Sequence, residues 1–203
     1  MQITFQMIEK NPGHIKFKTM TALETILNRK SIPLMEKPIP TQKELKNIYK
    51  AALRAPDHGS LTPWKFIEVS GKKRNLLSEI FVKATKRILK NPNDTVIQKV
   101  KNAPFRAPLI IIVVATIKKK LNIPKVEQIL SAGAAAQNIM LTASFYGYYS
   151  IWRTGHLAFN DSINKLLKLK KDDVVVGYLY IGSTKKKAPS TKKLNVDDFV
   201  KKL

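Results

Sequence analysis

Residues 124–155 read PKVEQILSAGAAAQNIMLTASFYGYYSIWRTG, and the reading of the whole fold turns on them. Between Val126 and Tyr146 the one helix breaker is Gly133, and the charge beyond Glu127 is negligible. The polar residues there (Gln128, Ser131, Gln137, Asn138, Thr142, Ser144) are neutral and fall on several faces. A helix that is apolar nearly all round belongs inside a protein, so this stretch predicts a long buried central helix. At its length it spans roughly 30 Å, the width of a small domain. The run Gly133-Ala134-Ala135-Ala136 gives it a thin waist that another backbone can approach. Gly147 supplies the C′ stop, and a short aromatic strand, Tyr148 to Arg153, follows. The most hydrophobic helix of the chain thus delivers Trp152-Arg153-Thr154-Gly155 to one place. An ordinary core helix has the same periodicity.

Composition narrows the chemistry. The 203 residues are 44% hydrophobic, enough for a full core in one domain. No uninterrupted apolar run of about 18 residues occurs, so no helix is expected to cross a membrane. Residues 1–19 lack the apolar segment of a signal peptide, and a cytoplasmic location is expected. With no cysteine and only three histidines (His14, His58, His156), thiolate chemistry and a metal centre are not expected. Redox chemistry in such a chain has to come from an organic cofactor. The net charge of +23 rests on 31 Lys and 6 Arg spread from end to end. Arg is the usual choice for base and phosphate recognition and is scarce. The charge therefore reads as a solvated lysine surface that attracts phosphates weakly at low salt, not as a specific nucleic-acid site.

Outward from the central stretch, the other elements announce themselves by their caps and periods. Thr21-Ala22-Leu23-Glu24 is a capping box opening a short helix with Ala22, Leu23, Ile26 and Leu27 on its apolar side. That helix runs into Arg29-Lys30-Ser31, two cations and a hydroxyl that serve either as end-stabilisers or as an anion clamp. Thr41–Glu44 is a second capping box, followed by an apolar face of Leu45, Ile48, Tyr49 and Ala52. The loop RAPDHGSLTPW (Arg54–Trp64) packs Arg, Asp and His between turn-formers, where binding residues concentrate. A strand is expected from Trp64 to Val69. An amphipathic helix is expected from Lys72 to Lys90, with Leu76, Leu77, Ile80, Phe81 and Ala84 inside, and a further helix capped by Asp94 to Asn102. PLIIIVVAT (Pro108–Thr116) predicts a strand buried on both faces. Asn160 or Asp161 caps a helix to Leu169, and Val174–Ile181 is the last core strand. Four strands among six or seven helices make an α+β layered domain over residues 20–203, with residues 1–19 as an extension. No G-x-G is present, which excludes the glycine-spaced dinucleotide fingerprint.

Five blocks in collinear order resemble the nitroreductase family. RKS (29–31) resembles its RxS entry, RAPDHGSLTPW its second signature, and NAPFRAPLIIIVVA (102–115) its central strand. SAGAAAQNIMLTASFYGYYSIWRTG (131–155) resembles its long helix and following strand, and VVGYLYIG (175–182) its closing strand. RAPDH, NAPFRAPLI and IWRTG are most similar to the compact, minimal bacterial subgroup of NAD(P)H nitroreductases. The resemblance implies a layered α/β/α domain with a mostly antiparallel central sheet. It also implies a homodimer with two FMN sites at the interface, in which the central helices pack together.

By matching positions the resemblance implies that Arg29 and Ser31 hold the FMN phosphate and that Lys30 lies along the ribityl chain. Arg54 and His58 would come from the second FMN-contacting loop, Arg54 reaching the partner's cofactor. Trp152, Arg153 and Thr154 would line the isoalloxazine, with backbone donors near its reactive nitrogen, and Lys187 would add a phosphate cation. The implied activity is ping-pong hydride transfer from NADH or NADPH, through FMN, to a small acceptor such as a nitroaromatic or quinone. No side chain then acts as a nucleophile, and the protein's part is positioning and electrostatics. Larger relatives carry Asn and Gln before the Pro-Trp pair where this chain has Gly59-Ser60-Leu61-Thr62, and a long helical insertion that this chain lacks, so their substrates do not transfer. Other flavin chemistry on the same scaffold (dehalogenation, flavin breakdown) and a basic nucleic-acid- or membrane-binding role are the alternatives.

Overall fold

The computed structural model describes residues 21–119, 122–186, 188–190 and 193–203. Among these the chain forms α1 (Ala22–Asn28), α2 (Gln42–Ala52), β1 (Trp64–Ser70), α3 (Lys73–Ile88) and α4 (Asp94–Asn102). It continues with β2 (Leu109–Ala115), α5 (Lys125–Phe145), β3 (Tyr149–Arg153), α6 (Asp161–Leu166) and β4 (Val174–Gly182). The strands make one sheet in the order β1-β2-β4-β3, and every neighbouring pair is antiparallel. Among the described residues no helix is long and apolar enough to cross a membrane.

Period-two alternation explains why β2 is apolar throughout. Leu109, Ile111 and Val113 face a core shared with Leu45 and Ile48 of α2 and Ala135 and Ile139 of α5. Ile110, Ile112 and Val114 face the opposite core, with Leu77 and Phe81 of α3, Val100 of α4 and Ile163 of α6. Helices cover both faces, so no position on the strand can be polar. β4 is buried along its whole length in the same way.

Both capping boxes form. Thr21 and Glu24 exchange backbone-to-side-chain bonds at 2.7 and 3.2 Å, and Thr41 and Glu44 at 2.7 and 3.3 Å. At α4 the cap is Asn93, not Asp94: Asn93 Oδ1 accepts from the Val96 N–H at 2.9 Å, and Asp94 becomes the first helical residue. Asn160 caps α6, which stops at Leu166, three residues short of the expected end, where Lys168 turns to φ 56°. On α3, Leu76 is exposed while Ser78 and Thr85 are buried, because the inner stripe runs through Leu77, Phe81 and Ala84.

α5 ends as expected, with Gly147 at φ 81°. Its burial within the chain is one-sided. Ala132, Ala135, Ala136, Ile139 and Ala143 are fully covered, whereas Val126, Leu130 and Phe145 stay exposed. Leu23, Ile26 and Leu27 of α1 also face outward. The waist at Gly133 is filled from within the chain: a Cβ placed there would sit 3.7 Å from Cη2 of Trp152. Gln128, the one buried polar side chain of α5, staples the preceding loop. Its Oε1 accepts from Lys118 N–H at 2.8 Å, and its Nε2 donates to Lys118 O and Ile123 O at 2.9 and 3.1 Å.

Candidate active site at the edge of the sheet

β3 is the last strand of the sheet, and one of its edges has no strand beside it. The segment after α1 runs along that edge. Ser31 forms a parallel bridge with Ser150, and the Ile32 N–H donates to Ser150 O at 3.4 Å. Sequence-distant Arg29-Lys30-Ser31 and Trp152-Arg153-Thr154 are thus brought together. Since Ser150 directs its carbonyl outward, alternation leaves the N–H and C=O of Trp152 on the same outer edge. Arg29 Nη1 donates to Ser31 Oγ at 3.3 Å, and neither Arg29 nor Lys30 forms an ion pair among the described residues. Two unpaired cations, a hydroxyl and outward-facing main-chain groups form a donor set suited to a phosphate and a polar heterocycle.

The side chains of β3 go to opposite faces. Trp152 turns under α5, where its Nε1 donates to Val176 O at 3.3 Å. Its ring lies close against Gly177, where an added Cβ would stand 2.0 Å from Nε1. The indole is therefore a wedge beneath the edge, and what Trp152 presents outward is its main chain. Arg153 goes to the α3–α4 side. Its Nη2 donates to Pro33 O at 3.3 Å and its guanidinium lies 5.6 Å from the ring centroid of Tyr180. Burial, and then the neighbouring charge of Arg106, weaken Arg153's hold on its proton. Burial also pushes the Tyr180 hydroxyl up to about 12. Thr154 is exposed at the end of the strand.

Arg54 and His58 sit in the loop between α2 and β1. Asp57 Oδ2 accepts from the Thr62 N–H at 2.6 Å, closing a turn in which Gly59, Ser60 and Thr62 all have positive φ. That turn presents His58 to α5, where its Nδ1 lies 2.7 Å from Glu127 Oε2. Glu127 was not among the residues expected at the site, although a lone carboxylate on an apolar helix is a signal that could have found it. Arg54 is exposed. Trp152 meets α5 at Gly133, about 9 Å along the axis from Glu127. His58 thus reaches the first turn of α5, whereas Arg29–Ser31 lie along the edge of β3. Lys187 lies outside the described residues, as do residues 1–19.

The profile of the Nitroreductase family matches residues 26–183. The chain belongs to the nitroreductase family. Its match includes every element from the end of α1 to the end of β4. An Escherichia coli K12 protein, provisionally named NAD(P)H nitroreductase YdjA, is 38% identical over 179 residues, 88% of this chain and 96% of its own. This member of the nitroreductase family is accordingly an oxidoreductase. Among solved structures, a nitroreductase-like protein of Bacillus cereus superposes with a TM-score of 0.80 at 20% identity, covering 93% of this chain and 99% of its own. A Bacteroides fragilis nitroreductase with bound FMN superposes with a TM-score of 0.69 at 19% identity, over 91% and 100% of the two chains. These two likenesses establish the nitroreductase fold, an α+β layering around an antiparallel sheet.

Proposed function

We propose that this chain is an FMN-dependent NAD(P)H oxidoreductase, working as a homodimer in which each flavin site draws on both subunits. The observation that carries this reading is the meeting of Arg29-Lys30-Ser31 with the open main chain of Trp152 along one edge of β3. In this reading Arg29 and Ser31 hold the FMN phosphate by charge-assisted and hydroxyl hydrogen bonds, and Lys30 lies along the ribityl chain. The main chain of Trp152, Arg153 and Thr154 flanks the isoalloxazine. Arg54 and His58 complete the site of the partner subunit, and Lys187 adds a further cation. Bound FMN supplies hydride acceptance from NADH or NADPH and delivery, in a second half-reaction, to a nitroaromatic, quinone or similar acceptor.

The protein's contribution is position. The Trp152 wedge on Gly177 keeps the edge from shifting, so its donors keep their direction, which is what a site built on rigid elements requires. Glu127 holds the His58 ring by Nδ1, leaving Nε2 free to donate or accept. Dimerisation is supported by the apolar side chains left open on one chain, notably Val126, Leu130 and Phe145 of α5 with Leu23 and Leu27 of α1. Steady-state kinetics with the FMN-loaded protein test the proposal. Varying NADPH at several fixed concentrations of a nitroaromatic or quinone should give parallel double-reciprocal lines. Intersecting lines, or no turnover with either nicotinamide cofactor, would overturn it.

A further inference from the structure

On the side of the sheet away from α5, a cavity of about 600 Å³ opens between α3, α4 and the ends of β3 and β4. Its floor is apolar, made by Phe81, Val96, Val100, Leu157 and Tyr178. Its charged lining residues are Lys99, Arg106 and Arg153, with His156 beside them and no Asp or Glu. The guanidinium of Arg106 makes no hydrogen bond or ion pair among the described residues. Arg153 uses Nη2 on Pro33 O, but its Nε is buried without a partner. Two guanidiniums in one wall repel each other, and an unsatisfied buried N–H is costly. Solvated surface arginines show neither feature. An anion that reaches both forks removes both costs at once, and a carboxylate matches the planar geometry of guanidinium. The apolar floor then requires that the anion carry a hydrocarbon body, and the volume is that of an ordinary small-molecule pocket.

We propose that this cavity binds an amphipathic organic acid, with its carboxylate between Arg106 and Arg153 and its apolar body along Phe81, Val100 and Tyr178. The site is distinct from the open edge of β3: Trp152 presents its main chain at that edge, whereas the side chain of Arg153 turns to the α3–α4 side, where the cavity lies. Calorimetric titration of the full-length, FMN-loaded protein with decanoate tests this, with butyrate and decan-1-ol as short and uncharged controls. Decanoate should bind saturably and at least about tenfold more tightly than either control. Arg106→Gln should weaken it by about tenfold or more while the flavin content stays unchanged. Val96→Trp, which places an indole in the cavity, should abolish it, and thermal melting checks that both variants are folded. If Val96→Trp fails to fold, Arg106→Gln decides alone. Absence of saturable binding, equal binding of a control, affinity unchanged in Arg106→Gln, or displacement of FMN by decanoate would each overturn the proposal.

Discussion

Replacing Gly177 with alanine tests the wedge beneath the candidate site. Gly177 lies in β4 with an ordinary extended backbone, so alanine brings no conformational penalty of its own; the cost is steric. The new Cβ would stand 2.0 Å from Nε1, 2.6 Å from Cδ1 and 3.1 Å from Cε2 of Trp152. Contact distances near 3.5 Å require the indole to retreat by about 1.5 Å. Retreat breaks the bond from Nε1 to Val176 O and presses the ring toward Gly133 of α5. Overpacking of this kind costs about 1–3 kcal/mol, and a buried N–H left unpaired about as much again, so a loss of about 3 kcal/mol is expected. In a chain of this size that lowers Tm by roughly 6–12 °C. Guanidinium unfolding followed by far-UV dichroism measures it, and the near-UV signal reports the displaced indole. Gly133→Ala is the control: its Cβ would meet Trp152 at an ordinary 3.7 Å. Its gain in helix propensity of about 1 kcal/mol should leave stability unchanged or raised. A Gly177→Ala protein within about 0.5 kcal/mol of the parent, with an unchanged indole signal, would show that Trp152 is not wedged against Gly177.

Other expectations follow from single contacts. Arg29→Ala should weaken FMN binding about 10–100-fold, read by fluorescence of released flavin, because it removes a charge-assisted donor. Ser150 is buried with its Oγ unpartnered, so Ser150→Ala should be neutral or stabilising by up to about 1 kcal/mol in chemical denaturation. Burial pushes the His156 imidazole below its ordinary pKa near 6.5, with Thr85 Oγ1 at 2.9 Å from its Nε2 and Lys99, Arg106 and Arg153 lining the same cavity. The unfolded chain therefore binds this proton more readily than the folded one. Stability should fall as pH drops through about 6.5 and below, and His156→Gln should flatten that part of a Tm-against-pH curve.

Local rules were legible wherever the deciding partner lies close in sequence. The boxes at Thr21/Glu24 and Thr41/Glu44, the cap at Asn160 and the stop at Gly147 each need only residues a few positions apart. The unbroken β-branched run of β2 announced cover on both faces, and two layers of helices supply it. What the sequence left open concerns directions set by distant elements. Leu23, Ile26 and Leu27 do share a side of α1, but periodicity says only that a face is apolar and not which way it points; here it points outward. The thin waist at Gly133 was legible, but its occupant is Trp152 of the same chain. The side chains of Trp152 and Arg153 part to opposite faces because strand alternation governs them, although their motif is contiguous. Arg106 carried no signal of its own within the strand-leading block, and only the fold brings it beside Arg153.

If the edge of β3 holds a flavin that nicotinamide reduces, the visible spectrum of the purified protein reveals it. After incubation with FMN and removal of the excess, a yellow protein is expected, whose flavin absorbance bleaches when NADPH or NADH is added without oxygen and returns when an acceptor is admitted. A colourless protein that takes up no FMN, or one that stays yellow with both nicotinamides, would contradict it.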